Sequence, residues 1–369
     1  MKQFFQRLLN QFKSRKNKMS LINDEFIKNE VAISFNIAKT TNGGEDADPV
    51  LLYKDNQYFL SVCDGMGGAG STTYEVEGLQ KSGAYLSSRI VNKQAEIFFS
   101  NFLNNKIFFK EDDLSDLRRL FLDSLQHELV KLKKDGISKL KSKLLKDLPT
   151  TFSGLFITNY ESYVEICSIW AGDSRNYLLT ETDGLQQLSS DDLKQKFDPL
   201  ENLSKDSPLD NVVSAEGDFR IRFIKVTTNS PCILFTATDG CYGYFNTPMQ
   251  FEYALLQAML NSNSVDDWQK NLITEIGAVA GDDYSISLVA IGYKDFTDVK
   301  SHFASRRESL YGFYITDLLK EDMLLNKLQL DKINLENRLR NVEDKRGELQ
   351  KNIWSKYKRD YLKYIQAKL

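Results

Sequence analysis

Short apolar runs broken by turn residues recur along this chain, but without the regular strand–helix–strand alternation that a doubly wound parallel sheet needs. That order is the strongest constraint on its fold. Strands are predicted at Val31–Ile37, Val50–Tyr53 and Tyr58–Cys63. Helical periodicity follows over Ser71–Arg89, Gln94–Phe102 and Asp116–Leu145, the last ended by Pro149. Strands return at Phe152–Thr158, Tyr163–Ala171, Arg175–Thr180, Phe219–Thr227 and Cys232–Ala237. Between them, Ser189–Asp218 is polar, carries Pro199 and Pro208, and reads as a surface excursion. Two helices, Pro248–Asn261 and Val265–Ala280, precede a closing strand at Tyr284–Tyr293. Strands outnumber helices, and helices come in pairs. The pattern predicts an α+β fold in which helices pack on antiparallel sheets.

After Asp298 the composition changes. Residues 318–369 hold no Pro and a single Gly, Gly347, and are rich in Leu, Lys, Glu and Asn. A heptad fits, with Leu318, Leu325, Lys332, Leu339, Arg346 and Ile353 at a and Leu328, Leu335, Val342 and Leu349 at d; Glu321 also falls at d. The segment is expected to be a long helix in a coiled coil, or a helical hairpin, used for self-association or a protein partner, or else a single helix folded back on the preceding domain. Trp354, Tyr357, Tyr361 and Tyr364 add an aromatic stripe that reads as a packing face. At the other end, residues 1–18 carry six basic residues and no acid, with Phe4, Phe5, Leu8, Leu9 and Phe12 at helical spacing. This is either a basic amphipathic helix making weak contact with a membrane surface or partner, or a partly ordered leader. The expected organisation is a leader over 1–28, a main domain over 29–298 and a helical extension over 299–369.

Composition narrows the chemistry. Lys and Arg total 48 against 51 Asp and Glu, a net charge of −3, which argues against a nucleic-acid partner. The four cysteines, Cys63, Cys167, Cys232 and Cys241, form no CxxC pair, and no stretch is long and apolar enough to span a membrane. A reducing cytoplasmic location is expected. The chain has only two histidines, His127 and His302, so a His-rich zinc site is excluded and hydrolysis by a His-dependent nucleophile is disfavoured.

Carboxylates instead recur beside small residues at the ends of predicted elements. They lie in Gly43-Gly44-Glu45-Asp46-Ala47, Cys63-Asp64-Gly65-Met66-Gly67-Gly68, Ala171-Gly172-Asp173-Ser174-Arg175, Thr238-Asp239-Gly240 and Gly281-Asp282-Asp283-Tyr284. Each alone is most often a turn. Together they are different: strand ends on one edge can bring distant carboxylates together, and clustered anions need a cation. Hard divalent ions, Mg²⁺ or Mn²⁺, prefer oxygen ligands.

The ordered set Glu-Asp, Asp-Gly-Met-Gly-Gly, Pro-Thr-Thr-Phe, Gly-Asp-Ser-Arg, Thr-Asp-Gly and Asp-Asp-x-Ser resembles the PP2C family of metal-dependent Ser/Thr protein phosphatases, in its bacterial form, over about residues 29–293. The resemblance implies a β-sandwich flanked by helix pairs, with at least two Mg²⁺ or Mn²⁺ ions in a cleft at one end, hydrolysing phosphoserine and phosphothreonine of a phosphoprotein by a metal-activated hydroxide. It implies that Asp64 bridges both metals and that the Gly65 carbonyl binds one. Glu45 and Asp46 reach metal directly or through water, Asp239, Asp282 and Asp283 are counted among the metal aspartates, Asp283 standing where the family usually has Asn or a second Asp, and Asp173 serves a weaker third site. Asp64, Asp239 and Asp282 are the residues on which catalysis is expected to depend. Three positions depart from the family pattern. Thr41 stands where many members have a phosphate-gripping Arg, no histidine is placed as general acid, and Gly243 replaces an Asp that helps the third metal. These departures leave open a second reading, a phosphatase-like binding module acting through its C-terminal helix.

Overall fold

A computed structural model describes residues 31–39, 43–76, 78–135, 146–195, 198–203 and 208–365, the side chains of 133–135 excepted. The readings made for residues 1–28, for Thr41 and for 136–145 lie outside the described residues. The chain divides into two compact units, one ending at Leu310 and the other beginning at Tyr311.

The first unit is α+β and antiparallel throughout its two main sheets. Its strands are β1 (Ala32–Ile37), β2 (Val50–Lys54), β3 (Gln57–Val62), β4 (Thr73–Val76), β5 (Leu79–Ser82), β6 (Phe152–Asn159), β7 (Val164–Ala171), β8 (Arg175–Thr180), β9 (Gly184–Gln187), β10 (Arg222–Thr228), β11 (Cys232–Ala237) and β12 (Tyr284–Ile291). One sheet runs β1-β12-β11-β8-β9, the other β10-β7-β6-β3-β2, and β4 and β5 form a separate hairpin. Strand alternation builds two cores from one sheet. In β3, Tyr58 and Leu60 point inward with Leu155, Ile157 and Ile166, where they meet Leu178, Leu234, Val289 and Ile291 of the facing sheet. Phe59, Phe152 and Phe156 point the other way, onto α1 (Gly83–Asn105) and α2 (Leu114–Asp135), packing with Phe99, Phe109 and Phe121. Burial on both faces explains why these strands read as unbroken apolar runs.

The helices on the opposite sheet are α5 (Pro248–Leu260), α6 (Val265–Gly277) and α7 (Phe296–Leu310); the short α3 (Pro199–Asn202) and α4 (Asp239–Tyr242) lie in loops. Phe251 of α5 packs near Tyr177 and Phe235, with ring centroids 5.9 and 6.3 Å away. Trp268 of α6 stacks on Phe296 of α7 at 5.5 Å.

One expectation needs correction, and one alternative falls. The segment Ser71–Arg89 is not one helix: its first part is the β4–β5 hairpin, turned at Gly78 with φ +79°. The helix starts at Gly83, where the Ser82 hydroxyl accepts the Tyr85 N–H. From there it runs unbroken to Asn105, so Gln94–Phe102 is its continuation. The C-terminal segment is the long helix expected, α8 (Thr316–Tyr361), uninterrupted and entered through a π-helical turn at Tyr311–Ile315, so the hairpin alternative falls. Gly347 is accommodated inside it, as a single helical Gly can be. Among the described residues, no helix is long and apolar enough to cross a membrane.

Candidate active site

The antiparallel register places the acidic motifs on one end of the sandwich. Val62 pairs with Ser153, Phe152 with Ala171, and Ala237 with both Arg175 and Ile286. Asp64, Asp173 and Asp239 therefore follow β3, β7 and β11 at the same edge from which Asp282 and Asp283 lead into β12. Glu45 and Asp46 arrive there on the loop before β2.

Asp64 is held by its main chain. Its carbonyl accepts from the Thr150 hydroxyl at 2.6 Å and the Thr151 N–H at 2.8 Å, and its N–H donates to the Thr151 hydroxyl at 3.1 Å. The Pro149-Thr150-Thr151-Phe152 segment thus serves as a clamp on Asp64. Gly65 follows because nothing larger fits: a Cβ there would lie 2.5 Å from the Ala84 carbonyl oxygen and 2.7 Å from that of Glu45.

The carboxylates crowd one another. Asp64 lies within hydrogen-bonding range of both Asp46 and Asp239. Burial pushes Asp64 well above the ordinary carboxylate range, and the charges of Asp46, Asp239 and Asp173 add to it. Burial carries Asp46 up to about 7, with Asp239 adding and a 2.9 Å hydrogen bond from the Thr238 hydroxyl opposing. Asp173 is pushed up to about 8, first by burial and then by the charges of Asp239 and Asp191, against the pull of Arg175. Asp239 is raised by burial and by Asp282. Arg175 does not neutralise the group, because it is already paired with Asp191 at 2.6 and 2.8 Å.

Of the remaining sequence-derived residues, Glu45 and Asp282 sit at the rim and Asp283 is buried. Glu45 accepts from the Ser82 hydroxyl at 2.5 Å; burial raises its carboxyl, as do Asp283 and Asp282. Asp282 is exposed. Asp283 differs from the others, since one of its oxygens accepts the Lys39 N–H at 2.7 Å and the other the Glu45 N–H at 2.6 Å. Its visible task is to fix the loop that carries Glu45 and Asp46. Lys39 directs its ammonium to the Ala280 carbonyl at 2.6 Å.

Several supporting residues carried no sequence signal. Arg89 stacks on Tyr85, 3.5 Å from the ring centroid, and donates to the carbonyls of Gly44 and Glu45. Asp192 accepts from the Gly172 N–H and from Asn211, tying Asn211 to the turn that bears Asp173. Arg89 and Asp192 are an unremarkable helical Arg and loop Asp; their partners are distant in sequence, so only the fold reveals them.

Among the described residues, no three acidic, His or Cys side chains close around one point as a finished cage. The donor set nonetheless fits a hard divalent ion. It is all oxygen, carries excess negative charge, and is partly exposed at Asp64, Asp173 and Asp239, leaving positions for water as Mg²⁺ prefers.

No protein-family model matches the chain, and no curated protein matches its sequence. Solved structures do resemble it at low identity. The Ser/Thr phosphatase Stp1 from Staphylococcus aureus is 17% identical, with a TM-score of 0.48, over 70% of this chain and 94% of that one. The Mycobacterium tuberculosis Ser/Thr phosphatase PstP is 16% identical, with a TM-score of 0.44, over 70% and 96%, and its catalytic domain has also been solved in complex with two manganese ions.

Proposed function

We propose that this chain is a Mg²⁺- or Mn²⁺-dependent phosphatase acting on phosphoserine and phosphothreonine in proteins. One observation carries the reading: Asp64 lies within hydrogen-bonding range of Asp46 and Asp239 and in the field of Asp173, in a crowd of carboxylates whose nearby cation, Arg175, is already matched by Asp191. Such a group is unfavourable in a metal-free scaffold and is relieved by divalent cations. A pair of bound divalent ions supplies a water acidic enough to act as nucleophile near neutral pH and a counter-charge for phosphoryl oxygens.

The chain's own residues have assigned tasks in this reading. Asp64, Asp46 and Asp239 hold the ions, with Gly65, Glu45 and Asp282 completing the set and Asp173 marking a further, weaker position. The Thr150–Thr151 clamp fixes Asp64, and Asp283 fixes the Glu45 loop. Both operate through the main chain, so the carboxylate oxygens are positioned before ions or substrate arrive. No side-chain nucleophile and no histidine is required. The alternative of a purely binding module is disfavoured, because amides or apolar groups would fill these positions at lower cost. The test is hydrolysis of p-nitrophenyl phosphate and of a phosphothreonine peptide in Mn²⁺ and in EDTA. Turnover in Mn²⁺ that EDTA abolishes is expected. No turnover in Mn²⁺, Mg²⁺ or Ca²⁺ overturns the reading.

A further inference from the structure

The C-terminal helix α8 carries an apolar seam that no described residue of its own unit covers. Leu325, Leu328, Leu335, Leu339, Val342 and Leu349 fall at a and d of one heptad, and each is more than half exposed. A second apolar stripe, Leu319, Met323, Leu330 and Ile333, stops at Ile333, whereas the seam continues along the helix.

The charges on and beside the seam discriminate between occupants. In a parallel pair of identical helices, a faces a and d faces d, so Lys332 meets Lys332, Arg346 meets Arg346 and Glu321 meets Glu321. In an antiparallel pair a faces d, and the possible registers differ by whole heptads. With the two-fold axis between Ile333 and Asn334, Arg346 at a faces Glu321 at d of the second copy. Leu325 then faces Val342, Leu328 faces Leu339, and Lys332 lays its aliphatic stem against Leu335. Beside the seam, Asp331 meets Arg338, both exposed. Sliding one heptad one way sets Arg338 against Arg338 and Glu336 against Glu336; sliding the other way sets Asp331 against Asp331. The centred register keeps one like-charged flank, Asp322 with Glu343, against two kinds of opposite-charge contact that the two-fold repeats.

We infer that α8 pairs with α8 of a second copy of this chain as an antiparallel coiled coil centred between Ile333 and Asn334, its basic a position answered by its own acidic d position. The inference is independent of the catalytic reading, since it uses only the second unit.

Single-cysteine variants of the full-length chain test orientation and register together. The native cysteines Cys63, Cys167, Cys232 and Cys241 are all buried and will not compete. A mixture of Leu328→Cys and Leu339→Cys chains should form a disulfide-linked dimer on mild oxidation, while each variant alone should not. Sedimentation should show a dimer that Arg346→Glu weakens about tenfold or more, by setting two acids across the seam on both sides of the axis. Adding Glu321→Arg to that variant should restore the affinity. Efficient cross-linking of either variant alone would indicate a parallel pair and overturn the inference. A monomeric wild type at the highest soluble concentration, or no rescue by the charge swap, would overturn it as well.

Discussion

The Arg175–Asp191 pair offers a test of how the acidic end of the sandwich is held together. Both side chains are almost fully buried, 4% and 5% exposed, and they meet bidentately at 2.6 and 2.8 Å. Arg175 also lies over the Tyr242 ring, 4.2 Å from its centroid, and Asp191 adds to the negative field on Asp173. Two unit charges about 4 Å apart at an effective dielectric of about 20 attract by about 4 kcal/mol. Removing one partner of a buried pair typically costs about 3–5 kcal/mol, because the other charge is left uncompensated. Arg175→Met should therefore destabilise by about 4 kcal/mol, or about 10 °C in Tm for a unit of this size. Replacing both, as Arg175→Met with Asp191→Leu, removes the stranded charge and should return stability to within about 1 kcal/mol of wild type. Urea denaturation of the four proteins in EDTA closes the cycle, and a coupling of about 3 kcal/mol or more is expected. Additive losses, or an Arg175→Met variant within about 1 kcal/mol of wild type, would refute the reasoning.

Other expectations follow from the same geometry. Gly65→Ala places a methyl group against the Ala84 and Glu45 carbonyl oxygens and should cost about 2–3 kcal/mol, read as a fall in Tm; an unchanged Tm would show that the loop can yield. Asp283→Asn turns one of two acceptors facing the Lys39 and Glu45 N–H groups into a donor. It should cost about 1–3 kcal/mol and weaken Mn²⁺ binding by calorimetry, whereas unchanged affinity would mean that the Glu45 loop needs no such anchor. Mn²⁺ at about 100 times its Kd should stabilise the wild type by about 2.7 kcal/mol, about 5–10 °C, in a thermal melt. Asp64→Asn should melt higher than wild type in EDTA, because an amide spares the fold the cost of burying or protonating that carboxyl among its neighbours, and should lose the Mn²⁺-induced shift; retention of the shift would place the ions elsewhere.

The α+β class and the two main sheets were legible in the sequence because their strands are buried on both faces or alternate cleanly. Phe59 and Leu60 are adjacent yet serve opposite cores, and only a strand can do that. The β4–β5 hairpin was missed because Thr73–Ser82 has apolar residues at spacings a helix also uses; Gly78 and the Ser82 cap were the discriminating signals. The short β9 strand carries only one buried residue, Gly184, and left no period to detect. At the acidic end, the motifs marked the carboxylates but could not distinguish their situations. Asp282 is exposed, whereas the neighbouring Asp283 is buried and spent on main-chain N–H groups. Arg89 and Asp192 were invisible because their importance lies in contacts to residues far away in sequence.

The central claim is that the carboxylates around Asp64 hold divalent ions on which phosphoester hydrolysis depends. The most direct measurement counts Mn²⁺ bound per chain, by paramagnetic resonance of free ion, alongside turnover of a phosphothreonine peptide in the same samples of wild type and Asp64→Asn. The account predicts at least two ions on the wild type, loss of binding in a folded Asp64→Asn, and a rate that falls by about 10²–10³ or more. Equal turnover by the two proteins in Mn²⁺, or wild-type turnover that persists in EDTA, would contradict it.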